Sequence, residues 1–208
     1  MSRSTPDFAA VLRKHFSPEA LDLERASSFA LDRSGRLAFV NQAWDQFAEG
    51  NGADAAAAAL SLGAPYLDAI AEPLRPFYRD LLARAPERDA SLRPATHEYE
   101  CSSATTFRTF LMHVYLLPGA AGHLIVNSLG TERPHDREEH PPDLTIYLDA
   151  SVGGEGVVRQ CSHCRRIQQV QDLSRWDWVP DWVSNPPGNS SHTLCPICFT
   201  YYYPEGNG

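Results

Sequence analysis

The sequence has no apolar run long enough to cross a bilayer. Its opening stretch, MSRSTPDFAAVLRKHFSPEALDLERA, holds no apolar core of the kind a secretory signal needs. The expectation is a cytoplasmic protein with no membrane partner. Positive charge is also short. Lys and Arg number 18 against 26 Asp and Glu, a formal charge of -8. General nucleic-acid binders displace counterions from phosphates with a basic surface, so nucleic acid is not an expected partner. A P-loop, a dinucleotide-binding glycine fingerprint and a Ser-His-Asp arrangement are all missing. The common nucleotide, hydride-transfer and acyl-transfer chemistries therefore have no visible carrier. The glycine-rich GGEG at 153–156 reads as a hairpin turn. Cysteine is scarce, with five in 208 residues. In a reducing compartment these are thiols or metal ligands before they are disulfides.

Four of those five cysteines fall into two C-x-x-C pairs, QCSHCRRI at 160–167 and SHTLCPICF at 191–199. Cys161 and Cys164 form the first, Cys195 and Cys198 the second, with 30 residues between. Thiolates two residues apart converge on one point across a tight turn. Two such turns supply the four sulfurs of a closed tetrahedral structural zinc site. The gap exceeds that of short zinc ribbons, so the intervening chain must fold as an insert. Trp176, Trp178, Val179, Trp182 and Val183 provide apolar material for it, and NPPGNSS reads as a loop. Zinc is the expected cofactor, and iron in a rubredoxin-like site is the alternative. A closed site has no open position for water or substrate, which argues for an architectural role. His163 and His192 lie close enough in sequence to replace a cysteine, but with four cysteines present they read as neighbours of the site or surface residues. Arg165 and Arg166 suit the negative charge of a tetrathiolate centre. A phosphate spot is the other reading of these two arginines.

Organisation along the chain follows composition. The charged, proline-rich TERPHDREEHPPD at 131–143 separates a mixed helix-and-strand region from the cysteine-bearing one. Phe8, Val11, Leu12 and Phe16 share a helical face, and Ser17 caps a second helix starting at Pro18. SSFALDRSGRLAFVN reads as two strands joined at DRSG. Asn41 caps QAWDQFAEG, whose inner face carries Trp44 and Phe47. ADAAAAAL at 53–60 is helix material or a surface turn. SLGAPYLDAI reads as short helical turns. RPFYRDLLARA is an amphipathic helix with Tyr78, Leu81 and Leu82 inward. Three strands follow: HEYEC, with His97, Tyr99 and Cys101 on one side; FRTFLMHVYLL, with Phe110, Met112, Val114 and Leu116 on one side; and HLIVNSLG. Strands grouped in this way predict an α+β fold with an antiparallel sheet. His97, His113 and His123 read as sheet or rim residues rather than haem ligands. Cys101 reads as a half-buried small hydrophobe. Arg108 interrupts an apolar strand, either solvated at its end or paired with a carboxylate.

The order β-β-α-α-α-β-β-β resembles that of the PAS sensory domain. The strings ALDRSGRLAFVNQAWDQFAEGNGA, GAPYLDAI, HEYECSSATTFRTFLMHVYLL and HLIVNSLGTERP are similar, in the right order, to a common bacterial version. The resemblance implies a five-stranded antiparallel sheet with helices over one face, and a cleft for a small ligand or partner. It leaves that ligand unknown, and the cysteine motif of flavin photosensors is absent. Residues 157–204 also resemble a small cysteine module at the ends of bacterial PAS-containing signalling proteins and some two-component regulators. Only Cys161, Cys164, Cys195 and Cys198 carry over from that likeness, as metal ligands. The domain expectation is a helical extension at 1–26, a PAS-like domain at 27–134, a linker at 135–144 and a four-cysteine zinc module at 145–208. The functional expectation is a non-enzymatic sensor with a protein signalling partner and a capacity to form a homodimer. The alternatives are a nucleic-acid-binding regulator and an iron-thiolate redox protein.

Overall fold

A computed structural model describes residues 3–50, 61–87, 93–135 and 137–204. The alanine run at 53–60 lies outside the described residues. Helix α1 spans Pro6–His15. Its proline sits at the first turn, where the missing N–H costs nothing. Ser17 Oγ then accepts from the Ala20 amide at 3.2 Å and opens α2, Pro18–Asp22. Strands β1 (Ser27–Asp32) and β2 (Leu37–Val40) form an antiparallel pair. The turn between them is held by Asp32, whose Oδ1 accepts from the Ser34 and Arg36 amides at 2.8 and 3.0 Å. Helix α3 is Gln42–Gly50 and α4 is Arg75–Ala83, with 3₁₀ turns at Tyr66–Ala69 and Glu72–Leu74 between them. Strands β3 (Ala95–Glu100), β4 (Thr106–Leu116) and β5 (Gly122–Pro134) complete a five-stranded sheet in the order β2-β1-β5-β4-β3. β5 runs on through TERP, past the point where apolar alternation stops, and β1 pairs with it antiparallel.

The described residues group into two compact units. The first comprises 1–70, 75–99 and 110–130; the second comprises 71–74, 100–109 and 131–208. In the first unit, period-two alternation sorts the sheet residues onto two faces. Phe29 meets Trp44 and Tyr66 at ring separations of 4.8 and 5.2 Å, and Phe47 meets Phe110 edge-on at 5.4 Å. His97 lies in the same aromatic layer, 4.6 Å from Phe77 and stacked toward Tyr99. Ala30 and Leu124 point the other way and pack with Phe8 and Leu12 of α1. The N-terminal extension therefore covers the face that α3 and α4 leave free. Gly122 marks the tightest approach in this sheet. A Cβ there would fall 2.1 Å from the Leu31 carbonyl oxygen, so no other residue fits.

The second unit carries its own sheet. Helix α5 (Leu144–Tyr147) leads into β6 (Leu148–Asp149), which pairs antiparallel with β7 (Val157–Cys161). GGEG lies in the connection between them, where Gly153, Gly154 and Gly156 all take positive φ. Strand β8 (Ile167–Gln168) pairs with β7 and with β9 (Trp176–Asp177). Helix α6 (Asp181–Ser184), strand β10 (Ser190–Thr193) and helix α7 (Pro196–Tyr202) finish the chain. β10 lies parallel to β7, which makes this second sheet mixed. Tyr147, Val158, Ile167, Val179 and Trp182 form its small apolar core.

Two tests follow. Asn41 is fully buried and joins three segments. Its Oδ1 accepts from the Ser28 and Trp44 amides at 2.9 and 3.0 Å, and its Nδ2 donates to the Ala26 carbonyl at 2.9 Å. Asn41→Ala removes a helix cap and strands these buried groups, so urea unfolding should show a loss of roughly 2–4 kcal/mol. His123 has its Nε2 3.1 Å from the Leu82 carbonyl oxygen, and burial holds its pKa below the ordinary histidine value. As pH falls through about 6.5 the unfolded chain takes the proton first, so stability present at neutral pH is lost on acidification. His123→Gln should flatten that part of the stability-versus-pH curve, measured by denaturant midpoints between neutral and mildly acid buffers.

Candidate metal centre

Strand pairing decides where the cysteines meet. Cys161 ends β7, and the parallel register of β10 sets Thr193 opposite it. The Ser162 amide donates to the Thr193 carbonyl at 2.6 Å, closing that pairing. The chain after β10 therefore arrives beside the first pair. The first pair sits on a turn in which the Arg165 amide donates to the Cys161 carbonyl at 3.1 Å. Arg165 takes a φ of 61°, a left-handed conformation that favours glycine. The second pair opens a helix. Cys195 is the N-cap of α7, Pro196 follows, and Cys198 lies three residues on, the spacing that puts two side chains on one helix face.

The result is a group of four sulfurs, from Cys161, Cys164, Cys195 and Cys198, all within 4.8 Å of one another and all buried. Cys164 and Cys195 approach at 3.8 Å, far beyond a disulfide bond, and every cysteine is free. The Cys195 amide donates to Cys161 Sγ at 3.3 Å, and Trp176 and Leu194 pack against the group. Without a cation the sulfurs share protons. Cys161 is held far below the usual thiol range, because Cys164, Cys195 and Cys198 donate to it. Cys164 and Cys198 are pushed far up, because losing a proton would end a hydrogen bond to a neighbouring sulfur. A divalent cation at the centre removes that conflict and lets all four ionise. Among the described residues no other group of His, Cys, Asp and Glu converges in this way. The four cysteines singled out by their spacing are thus one cluster, fit to hold one metal ion.

The histidines of the two motifs are not in it. His163 Nδ1 is hydrogen-bonded with the Tyr202 hydroxyl at 2.8 Å, and its ring meets Tyr202 edge-on. His192 is exposed on β10. The three tyrosines of TYYYP separate. Tyr202 is buried, Tyr201 is exposed, and the Tyr203 hydroxyl donates to the Pro73 carbonyl at 2.7 Å. Cys101 stays half-buried outside the group, its thiol pushed up by burial. Arg108 takes the paired alternative, with its Nε 2.5 Å from a Glu132 carboxylate oxygen.

Two polar networks around the site escape sequence reasoning. Arg137, inside the charged stretch, donates twice to the Glu100 carboxylate at 2.7 and 2.8 Å. Its guanidinium also covers the Trp178 ring at 4.8 Å and reaches the Cys164 carbonyl at 3.5 Å. The second network surrounds Asp177. Burial pushes this carboxyl up, but donors from Gln169, Tyr147 and Arg175 outweigh it and hold the group below the usual carboxylate range. Charge alternation in a proline-rich stretch reads as solvated, so nothing local announces Arg137. Asp177, between two tryptophans in RWDWV, is the one visible signal for the second network.

Glu100 and Arg137 each keep only 14% of their side chains exposed. Glu100→Gln leaves a half-buried guanidinium without its charge partner beside the first cysteine turn, so thermal unfolding should report a loss of roughly 1–3 kcal/mol.

No family model matches the chain. Over 120 residues it is 31% identical to a protein from Rhodobacter capsulatus described as an uncharacterized 104.1 kDa protein in hypE 3'region. The similarity covers 55% of this chain and 12% of that protein, so the chain spans a small part of the length of its relative.

Proposed function

We propose that this protein is a non-enzymatic sensory and signal-transduction component, in which a PAS-like domain receives a ligand or dimerises and a structural zinc module presents a surface to a protein partner. The observation that carries the zinc half is the set of four buried, converging sulfurs. Zinc–sulfur bonds of about 2.3 Å in a tetrahedron put sulfurs about 3.8 Å apart. The 3.8 Å separation of Cys164 and Cys195 fits that figure. Four thiolates fill the coordination sphere and leave no place for a substrate, which favours an architectural metal over a catalytic one. The sensory half rests on the resemblance of residues 27–134 to PAS domains. A five-stranded sheet with an aromatic layer under α3 and α4 supports it. The acidic balance favours a protein partner over nucleic acid, and no helix among the described residues is long and apolar enough to cross a membrane. A cytoplasmic location belongs to the same reading, because free thiols persist in reducing compartments.

Native mass spectrometry with elemental analysis tests both halves together. The expected result is one zinc per chain, with any retained small ligand and the subunit number read from the same spectrum. Cys198→Ser should lose the metal and lower the unfolding temperature. A metal-free protein with two disulfides would end the zinc reading, and a red ferric protein would replace it with the iron–thiolate one.

A further inference from the structure

The turn Glu72–Leu74 belongs to the second unit, although the chain on both sides of it belongs to the first. Two interactions account for that. The Tyr203 hydroxyl donates to the Pro73 carbonyl at 2.7 Å, and strand β10 packs against the turn. Pro73 lies two residues ahead of α4, on the path by which the chain enters that helix. The loop is also pinned to itself. Arg75 donates from Nε to the Ile70 carbonyl at 2.8 Å and from Nη2 to the Asp68 carbonyl at 3.3 Å. Residues 68–75 therefore form a closed loop whose tip is held by Tyr203. Flanking the loop are Tyr66 and Tyr78, buried rings 6.4 Å apart in the aromatic layer.

Tyr203 stands in turn on the cysteine site. It caps α7, with its amide donating to the Phe199 carbonyl at 2.8 Å and its ring 5.5 Å from that of Phe199. The same helix starts from Cys195 and carries Cys198. Tyr202, beside Tyr203, is hydrogen-bonded with His163 between the first two cysteines. A helix of seven residues does not persist in water by itself, so the order of α7 depends on what holds its cysteines.

We infer that Tyr203 is a clamp through which metal occupancy of the four-cysteine site sets the order of the loop at 68–75 and of α4 behind it. The inference rests on the proposed metal site. With the metal bound, Cys195 and Cys198 fix α7, and the Tyr203 hydroxyl stays at the Pro73 carbonyl. When the metal leaves, α7 loosens, the hydrogen bond is lost and the tip of the loop is released. Coupling of this kind is reciprocal, so a change that displaces the loop tip weakens metal retention by the same factor.

Hydrogen exchange read by mass spectrometry tests the clamp on the full-length protein, zinc-loaded and chelator-treated. Tyr203→Phe keeps the ring beside Phe199 and removes the hydroxyl. In the zinc-loaded state it should speed exchange in peptides covering 68–83 roughly three- to tenfold, the factor one net hydrogen bond supplies. Removing zinc from the wild type should match that acceleration, and removing it from Tyr203→Phe should add little, because the clamp is already open. Tyr201→Phe, at an exposed tyrosine of the same helix, should leave 68–83 unchanged. The inference is overturned, with the metal site intact, by unchanged exchange in zinc-loaded Tyr203→Phe or by an equal acceleration in Tyr201→Phe. It is also overturned if zinc removal leaves 68–83 unchanged in the wild type, or acts on it equally in the wild type and Tyr203→Phe. A wild-type protein whose exchange across 157–202 ignores both zinc and chelator overturns the metal reading, and the clamp with it.

Discussion

Negative charges about 4 Å apart repel by roughly 4 kcal/mol per pair at an intermediate dielectric. Four sulfurs drawn within 4.8 Å of one another therefore cannot all ionise on their own. Either protons stay shared among them or a cation enters. The second unit is arranged around that constraint. β7 supplies Cys161, the turn after it supplies Cys164, and the parallel strand β10 delivers the α7 pair to the same place. The apolar core nearby is small, built on Tyr147, Val158, Ile167, Val179 and Trp182. Small cores of this kind commonly lean on a metal or another staple for stability. In the proposed reading the metal takes that role, and the surface it fixes is the functional product.

Near the sulfurs, two sets of charged side chains are paired among the described residues. Glu100 and Arg137 close on each other, and Arg137 continues to the Cys164 carbonyl and the Trp178 face. Asp177 is filled by three donors. Such buried pairs add little net stability over apolar residues of the same shape, but breaking one is costly. They hold the hairpin end at 100–109, the segment after β5 and the tryptophan strand in one register about the cysteine turns. Arg165, strained in a left-handed conformation at the first turn, belongs to the same compact surroundings.

The first unit is ordered by a different force. Its sheet separates a face rich in aromatic rings, with Phe29, His97 and Phe110, from a face under α1 that carries Ala30, Ala38, Phe39 and Leu124. Burial of apolar side chains on both faces drives folding there, and Asn41 ties the strand, the helix and the preceding loop together through its hydrogen bonds.

Several features were legible in the residues alone because they depend on local periodicity and local chemistry. The two strands around DRSG, the Ser17 and Asn41 caps, the alternating face of β4 and the amphipathic α4 are of this kind. So is the pairing of thiols within each C-x-x-C motif, which a single turn enforces. Other features needed the chain to be folded. The extension of β5 into TERP depends on a partner strand, since its own residues carry no apolar alternation. Arg137 became a half-buried ion-pair partner only because Glu100, 37 positions away, was brought to it. The meeting of the two cysteine pairs, and of Trp176 with both, was decided by the parallel pairing of β10 with β7. That is a contact across some thirty residues, to which no local propensity speaks. The sequence by itself determined that four thiols would be offered in pairs. Tertiary structure decided that they would share one point, because only long-range pairing sets the distance between segments with no local bond to each other.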